Sequence, residues 1–459
     1  MSEKTIAIIG GGFCGTLTAV HLLRNRDCAG LHVVLINRSG PFARGVAYGT
    51  RTETHVLNVP AARMGAFPDD EADFLRYARR RDPHIAGGAF LPRRWYGEYL
   101  EWLLEDARAH TAPGVRFSHR VEHVVDLREN GAGIDMVFEG GERLRADRAV
   151  LALGNFAPTD PPLAQSDFFA GSARYVRDPW LPGALDRVDP AQPVLLIGTG
   201  LTAVDIALDL VERGLCQPLY ALSRRGLAPL AHRGLADGAR EVELPAALWD
   251  EPASVRGYLR SVRRRIRELA AQGIDWRDCV AALRPITALL WQRLDRTERA
   301  RFLRHLQPYW EIHRHRLAPE LGQRFRALQD SGQLRLRGGR LRELTERGGQ
   351  VEVRYQPRGG AQTSLLSVGS VINCTGPNSN MARSPEPLLN SLRARGVLSA
   401  DALGLGLAVA ENYAVVGGDG VASPRLFYVG PFLKAHFWEA TAVPELRVHV
   451  RDLVRHLLA

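Results

Sequence analysis

Gly10, Gly12 and Gly15 stand in GxGxxG spacing between the apolar run Thr5–Ile9 and a stretch that puts Leu17, Val20 and Leu23 on one helical face. Few folds accommodate that order. A second apolar run, His32–Ile36, completes a strand–helix–strand unit. In such a unit the first glycine permits a tight turn, the second lets a pyrophosphate approach the backbone, and the third packs helix on strand. The pattern returns after Pro193–Ile197, as Gly198, Gly200 and Ala203 in GxGxxA spacing, with Ala207, Leu210 and Val211 on the next helix. Two such units in one chain imply two dinucleotides.

The residues that close each unit differ. An acid is expected at the end of the second strand to hold ribose hydroxyls, and Asn37 stands there instead, still able to donate and accept hydrogen bonds. In the second unit Leu219–Leu222 runs into Ser223, Arg224 and Arg225, which suits the 2′-phosphate of NADPH, with NADH possible. Ala149–Asn155 (AVLALGN, with Gly154) and Val371–Pro377 (VINCTGP, with Gly376) are apolar strands ending in glycine turns. They resemble the returning strands that come after each nucleotide unit in flavoproteins with two dinucleotides. The expected fold is α/β, with two Rossmann-like domains for FAD and NAD(P)H, the second inserted in the first. Residues 1–165 and 370–459 form the FAD domain, and 166–369 the inserted domain. A stretch of helical period at about 250–330 is read as an excursion from the latter.

Composition narrows the class further. With 459 residues, 45% hydrophobic and 24% charged, the chain is globular in type. Its net charge of +10 is carried almost wholly by arginine, since only Lys4 and Lys434 are lysine. The arginines are scattered among acids, and Arg263, Arg264 and Arg265 fall on a helical face read as solvated, so nucleic-acid binding is not expected. Cysteines at 14, 28, 216, 279 and 374 form no CxxC pair and no zinc spacing. No run approaches the ~18 apolar residues of a membrane span, and the expected compartment is the cytoplasm.

The segments RGVAYGT (Arg44–Thr50), LNVPAARM (Leu57–Met64), LPRRWYGEYL (Leu91–Leu100), GTGLTAVD (Gly198–Asp205), YWEIHRHR (Tyr309–Arg316) and WEATAVPELR (Trp438–Arg447) span the chain. As a set they resemble the FAD/NAD(P)-binding YdhS-like family, within the flavin monooxygenases. Inside that family they are most similar to its FAD-dependent urate hydroxylases. The resemblance implies that NADPH delivers hydride to the flavin, dioxygen adds at flavin C4a, and one oxygen passes to urate, giving 5-hydroxyisourate. It also implies that Leu57, Asn58 and Met64 lie beside the flavin ring. Gly10, Gly12, Gly15 and Asn37 would hold FAD, and Gly198, Gly200, Ala203 and Arg224 or Arg225 would hold NADPH. The strand Leu426–Gly430 (LFYVG) would feed a helix after Trp438 whose N-terminus faces the reduced flavin. Trp438 and Glu439 line the cleft or cap that helix.

Phe169, Gly171, Tyr175, Pro179 and Trp180 nearly fit the FxGxxxH fingerprint of flavin-containing and Baeyer–Villiger monooxygenases, with tyrosine at the histidine position. The run His313, Arg314, His315 and Arg316 offers no closed metal-ligand set, so no metal is expected. It suits a monoanionic purine instead, with Arg314 or Arg316 as binding cation and His313 or His315 as base. A basic helix face packed on the inserted domain explains the same run. Two other readings stay open: a flavin N-hydroxylase or Baeyer–Villiger enzyme acting on an amine or ketone, and a non-oxygenating flavin oxidoreductase or sensor.

Overall fold

The computed structural model describes residues 3–26, 30–163, 167–234 and 240–459. Cys28 lies outside them. Two mainly parallel sheets organise the chain. In the first, the strand order is 414–416, 422–428, 148–151, 4–9, 31–37 and 115–121. Lys4–Ile9 pairs in parallel with both Leu31–Asn37 and Arg148–Leu151. The order reverses between those two neighbours, and such a switch point is where α/β sheets open a ligand crevice. Apolar runs such as VVLI, buried on both faces, suit a sheet that is covered on each side. Helices Phe13–Leu23, Arg93–Ala109 and Val443–Leu458 pack side by side, the first between the other two, and supply the helical cover. An antiparallel sheet of Val124–Asn130, Gly133–Phe138 and Arg143–Ala146 completes the unit.

The second sheet has the order 364–368, 350–357, 334–347, 219–223, 194–197, 370–373 and 175–176. Ser370–Asn373 pairs in parallel with Val194–Ile197. Sequence pattern alone places the return to the first domain at residue 370, but this strand belongs to the second sheet, and the chain re-enters the first unit only beyond Pro377. The reason is topological: a returning strand must sit beside the glycine-turn strand it serves, and here that strand is Val194–Ile197.

Between the second sheet's strands Leu219–Ser223 and Leu334–Arg347 lie helices from Val255–Ala271 to Pro319–Asp330. Arg263 and Arg264 point to solvent on the first of these. A separate apolar cluster of Trp291, Leu294, Leu405, Ala435 and Trp438 seals this helical segment against the C-terminal part of the first unit. Among the described residues, no helix is long and apolar enough to cross a membrane, and no group of three or more His, Cys, Asp or Glu side chains could hold a metal ion.

Candidate functional site

Each glycine turn sits at a switch point and is built the same way. Gly10 donates its N–H to the Ile36 carbonyl at 2.7 Å, and Ala152 donates to Ile9 at 2.8 Å. Gly198 donates to Leu222 at 2.8 Å, and Cys374 to Ile197 at 2.8 Å. Both first glycines have φ of +117°, and a Cβ on either would overlap the carbonyl oxygen of the returning strand, Ala152 in one case and Cys374 in the other. The helices beyond these turns start at Gly12 and Gly200, with no side-chain cap and no acid in the first turn. Their first N–H groups therefore stay free to receive an anion. Around Gly154, Gly200 and Gly376 a Cβ would meet nothing within 4 Å, so the backbone faces open space.

The first crevice has its own trim. Asn37 accepts a hydrogen bond from the Gly11 N–H at 3.3 Å and donates to the Ser39 carbonyl at 2.7 Å. Its side chain thus braces the turn from within. Ala43, at φ +78° and fully buried, donates to the Gly11 carbonyl at 2.7 Å and draws Arg44–Tyr48 over the turn. Gly430, at φ +146°, lies close to Gly154, so two strand ends meet beside the opening. Leu57 and Met64 are buried in the core of this unit, and Asn58 turns its carbonyl toward the second unit.

At the second crevice Arg224 is exposed and, among the described residues, makes no hydrogen bond or ion pair. Arg225 is held instead. It donates to the Tyr309 hydroxyl at 3.2 Å and lies 5.0 Å from that ring's centre. A hydrogen bond from Arg358, with the charge of Arg225, holds the Tyr309 hydroxyl below its ordinary pKa. Arg358, far along the chain at the end of strand Gln350–Pro357, is invisible to local sequence reasoning.

The run 309–316 closes the space between the units. Helix Gln307–Arg314 packs onto the C-terminal segment, where Trp310 donates to Glu439 at 3.0 Å and Arg314 pairs with Glu439 at 3.2 Å. Glu439 is only 4% exposed. Arg314 also reaches Glu445 at 3.6 Å, which Arg284 holds at 2.9 Å. Trp438, at φ +58°, packs on Trp291 and Phe302, and the last helix starts at Val443 behind Ala442, so neither Trp438 nor Glu439 caps it. His313 contacts the Tyr309 carbonyl at 2.7 Å and the Trp276 ring, while His315 pairs with Glu311 at 3.0 Å. The tetrad is thus split: three members make hydrogen bonds or ion pairs, and Arg316 makes neither among the described residues. His232, unmarked by the sequence, points at the Asn58 carbonyl from 3.1 Å. The near-fingerprint residues serve packing, with Phe169 and Tyr175 in a core cluster and Trp180 against His55 and Arg93.

Comparisons with known proteins agree with this architecture. Residues 7–156 match a family model described as FAD-NAD(P)-binding. No curated protein matches the chain. The fold is similar to that of the ornithine N-hydroxylase of Kutzneria sp. 744, solved with reduced FAD, NADP+ and L-ornithine, at TM-score 0.64 and 14% identity over 100% of this chain and 99% of that one. It is similar to the FAD-bound cadaverine monooxygenase of Erwinia amylovora at TM-score 0.66 and 14% identity, over 100% and 94%. The thioredoxin reductase of Lactococcus lactis also resembles it, at TM-score 0.54 and 13% identity over 99% of both chains. At such identities the likeness is one of fold, and this fold carries both oxygenases and reductases.

Proposed function

We propose that the chain holds FAD in the first crevice and NADPH in the second, and that it is a flavin-dependent monooxygenase of a small molecule. The observation that carries this reading is the pair of uncapped glycine turns at two switch points, joined by a polar junction. Bound FAD would supply hydride acceptance and oxygen activation. The chain's own groups would then do the rest. Gly10, Gly12 and Gly15 admit the pyrophosphate, Asn37 fixes the turn beneath the ribose, and Leu57 and Met64 keep the neighbouring core apolar and dry. Gly198, Gly200 and Ala203 shape the NADPH turn, and Arg224 takes the 2′-phosphate with Arg225 and Arg358 behind it.

Oxygenation is favoured over disulfide reduction because the chain has no CxxC pair, and Cys14, pushed up to about 12 by burial, is a poor nucleophile at neutral pH. For the substrate, the N-hydroxylating monooxygenases among the solved relatives support a small amine. A second reading, urate, is supported by the arginines of the junction. Purified protein, oxygen uptake and NADPH oxidation with an amine panel and with urate test both. An N-hydroxylated product supports the first and 5-hydroxyisourate the second. Flavin reduction with no oxygen consumed for any of them would overturn the oxygenase reading.

A further inference from the structure

The arginines at the junction between the units are engaged, with one exception. Arg314 faces Glu439, Arg277 pairs with Asp275 at 3.0 Å and donates to the Ala231 carbonyl at 2.8 Å, and Arg233 pairs with Asp278. Arg316 makes no hydrogen bond and no ion pair among the described residues. Its guanidinium lies 5.9 Å from the Trp276 ring centre, and its Nε is buried without a partner. Burial, then the charges of Arg314, Arg277 and Arg233, bring its pKa down to about 10, so it remains a cation at neutral pH. A half-buried guanidinium with no ion pair, beside three other arginines and offset only at a distance by Asp275, is a cost to the fold. Such a group calls for a partner, and an anionic ligand would supply the missing charge.

The neighbour of this cation is informative. The Asn58 carbonyl can only accept, so the His232 contact requires the proton on Nε2, which leaves Nδ1 as an acceptor. Burial, followed by Arg316, lowers the His232 pKa to about 3, and the ring stays neutral. The junction therefore presents one unbalanced cation and one neutral acceptor, next to the segment placed beside the flavin.

We propose that Arg316 holds the anionic group of the substrate, and that this group is a planar edge with two adjacent acceptor oxygens or an oxygen and a nitrogen. The inference rests on the monooxygenase reading. A fork of parallel N–H donors matches a carboxylate, as on an amino acid, or the oxyanion edge of a heteroaromatic such as urate. The two sources share this chemistry.

The test uses the full-length protein, Arg316→Gln and Arg316→Lys, with urate, L-ornithine, putrescine and NADP+ as probes, followed by isothermal titration and thermal unfolding. Urate or L-ornithine binds the wild type, and whichever binds identifies the source. Arg316→Gln weakens that probe by about 10- to 100-fold, and Arg316→Lys restores part of it. Putrescine, which lacks the anion, binds poorly throughout. The ligand-free Arg316→Gln protein melts no lower than wild type, because the lost cation had no partner. Unchanged affinity in Arg316→Gln, putrescine binding as well as the probe that the wild type binds, or an equal loss for NADP+ would each overturn the proposal. So would a wild type that binds neither urate nor L-ornithine. Colourless protein would instead refute the flavin reading, and titration, which does not depend on colour, would still decide Arg316.

Discussion

The two glycine turns share their dihedrals, their hydrogen bonds and their uncapped helices, yet they are trimmed for different tasks. In the first, the third motif position is Gly15, where a Cβ would collide with the Gly10 carbonyl oxygen; in the second it is Ala203, buried at 2% exposure. Where the first helix carries the apolar Leu17, the second carries Asp205, 3% exposed and bound by Arg93 of the other unit at 2.7 Å. Asn37 ends one unit and Ser223, Arg224 and Arg225 the other. The turn geometry is thus generic to anion binding. The residues beyond the turn decide how each unit is anchored and which nucleotide end it can grip.

The largest expected effect tests that anchoring. Arg93→Ala leaves the Asp205 carboxylate buried and unpaired, and should cost about 3–5 kcal/mol in urea unfolding. A loss below about 1 kcal/mol would mean that the second helix is not fastened through its acid. Next comes acid. Burial, aided for His21 by Arg24 and Arg451, lowers both His21 and His449 of the first unit from 6.5 to about 4. Above pH 6.5 both are neutral whether folded or not, and stability is full. As pH falls below 6.5 the unfolded chain takes up protons that the folded one refuses. Stability then drops by up to about 1.4 kcal/mol per pH unit for each histidine, until the folded pKa is reached. Thermal melts between pH 6.5 and 4.5 should show that slope, and His449→Gln should make it shallower by one histidine's share. The helix Leu201–Glu212 carries no histidine, and the second unit adds to the same slope through His232, lowered to about 3 by burial and Arg316.

The packing difference gives a smaller effect. Gly15→Ala should destabilise by about 1–3 kcal/mol through overpacking and lower the flavin content, whereas Ala203→Gly should cost about 1 kcal/mol or less. Equal losses at the two positions would erase the distinction. Smallest in scope is Arg224→Ala, which should weaken NADPH by roughly 10- to 100-fold and spare NADH, read from cofactor titrations. Equal loss for both nucleotides would remove Arg224 from the phosphate.

Local pattern carried much of the fold. Gly10 and Gly198 announce their turns because a φ of +117° against a neighbouring carbonyl admits little else, and strands such as LHVVLIN declare themselves by continuous burial. Strand partnership was harder to read. Val371–Pro377 looks like a returning strand wherever it pairs, and sequence periodicity does not say which sheet it joins. The candidate site shows the same divide. The run His313–Arg316 stands out as a tetrad, but only packing separates Arg314, held by Glu439, from Arg316, which has no hydrogen bond or ion pair among the described residues.

The two glycine turns, the parallel strands around them and the lack of a CxxC pair are legible in the chain's letters, because each depends on residues close together along it. Packing set the rest: the sheet that receives Ser370–Asn373, the grip of Tyr309 on Arg225, the approach of His232 to Asn58 and the isolation of Arg316. A charge's partners come from segments hundreds of residues apart that meet only when the core forms, and those partners decide whether it is neutralised or left to await a ligand.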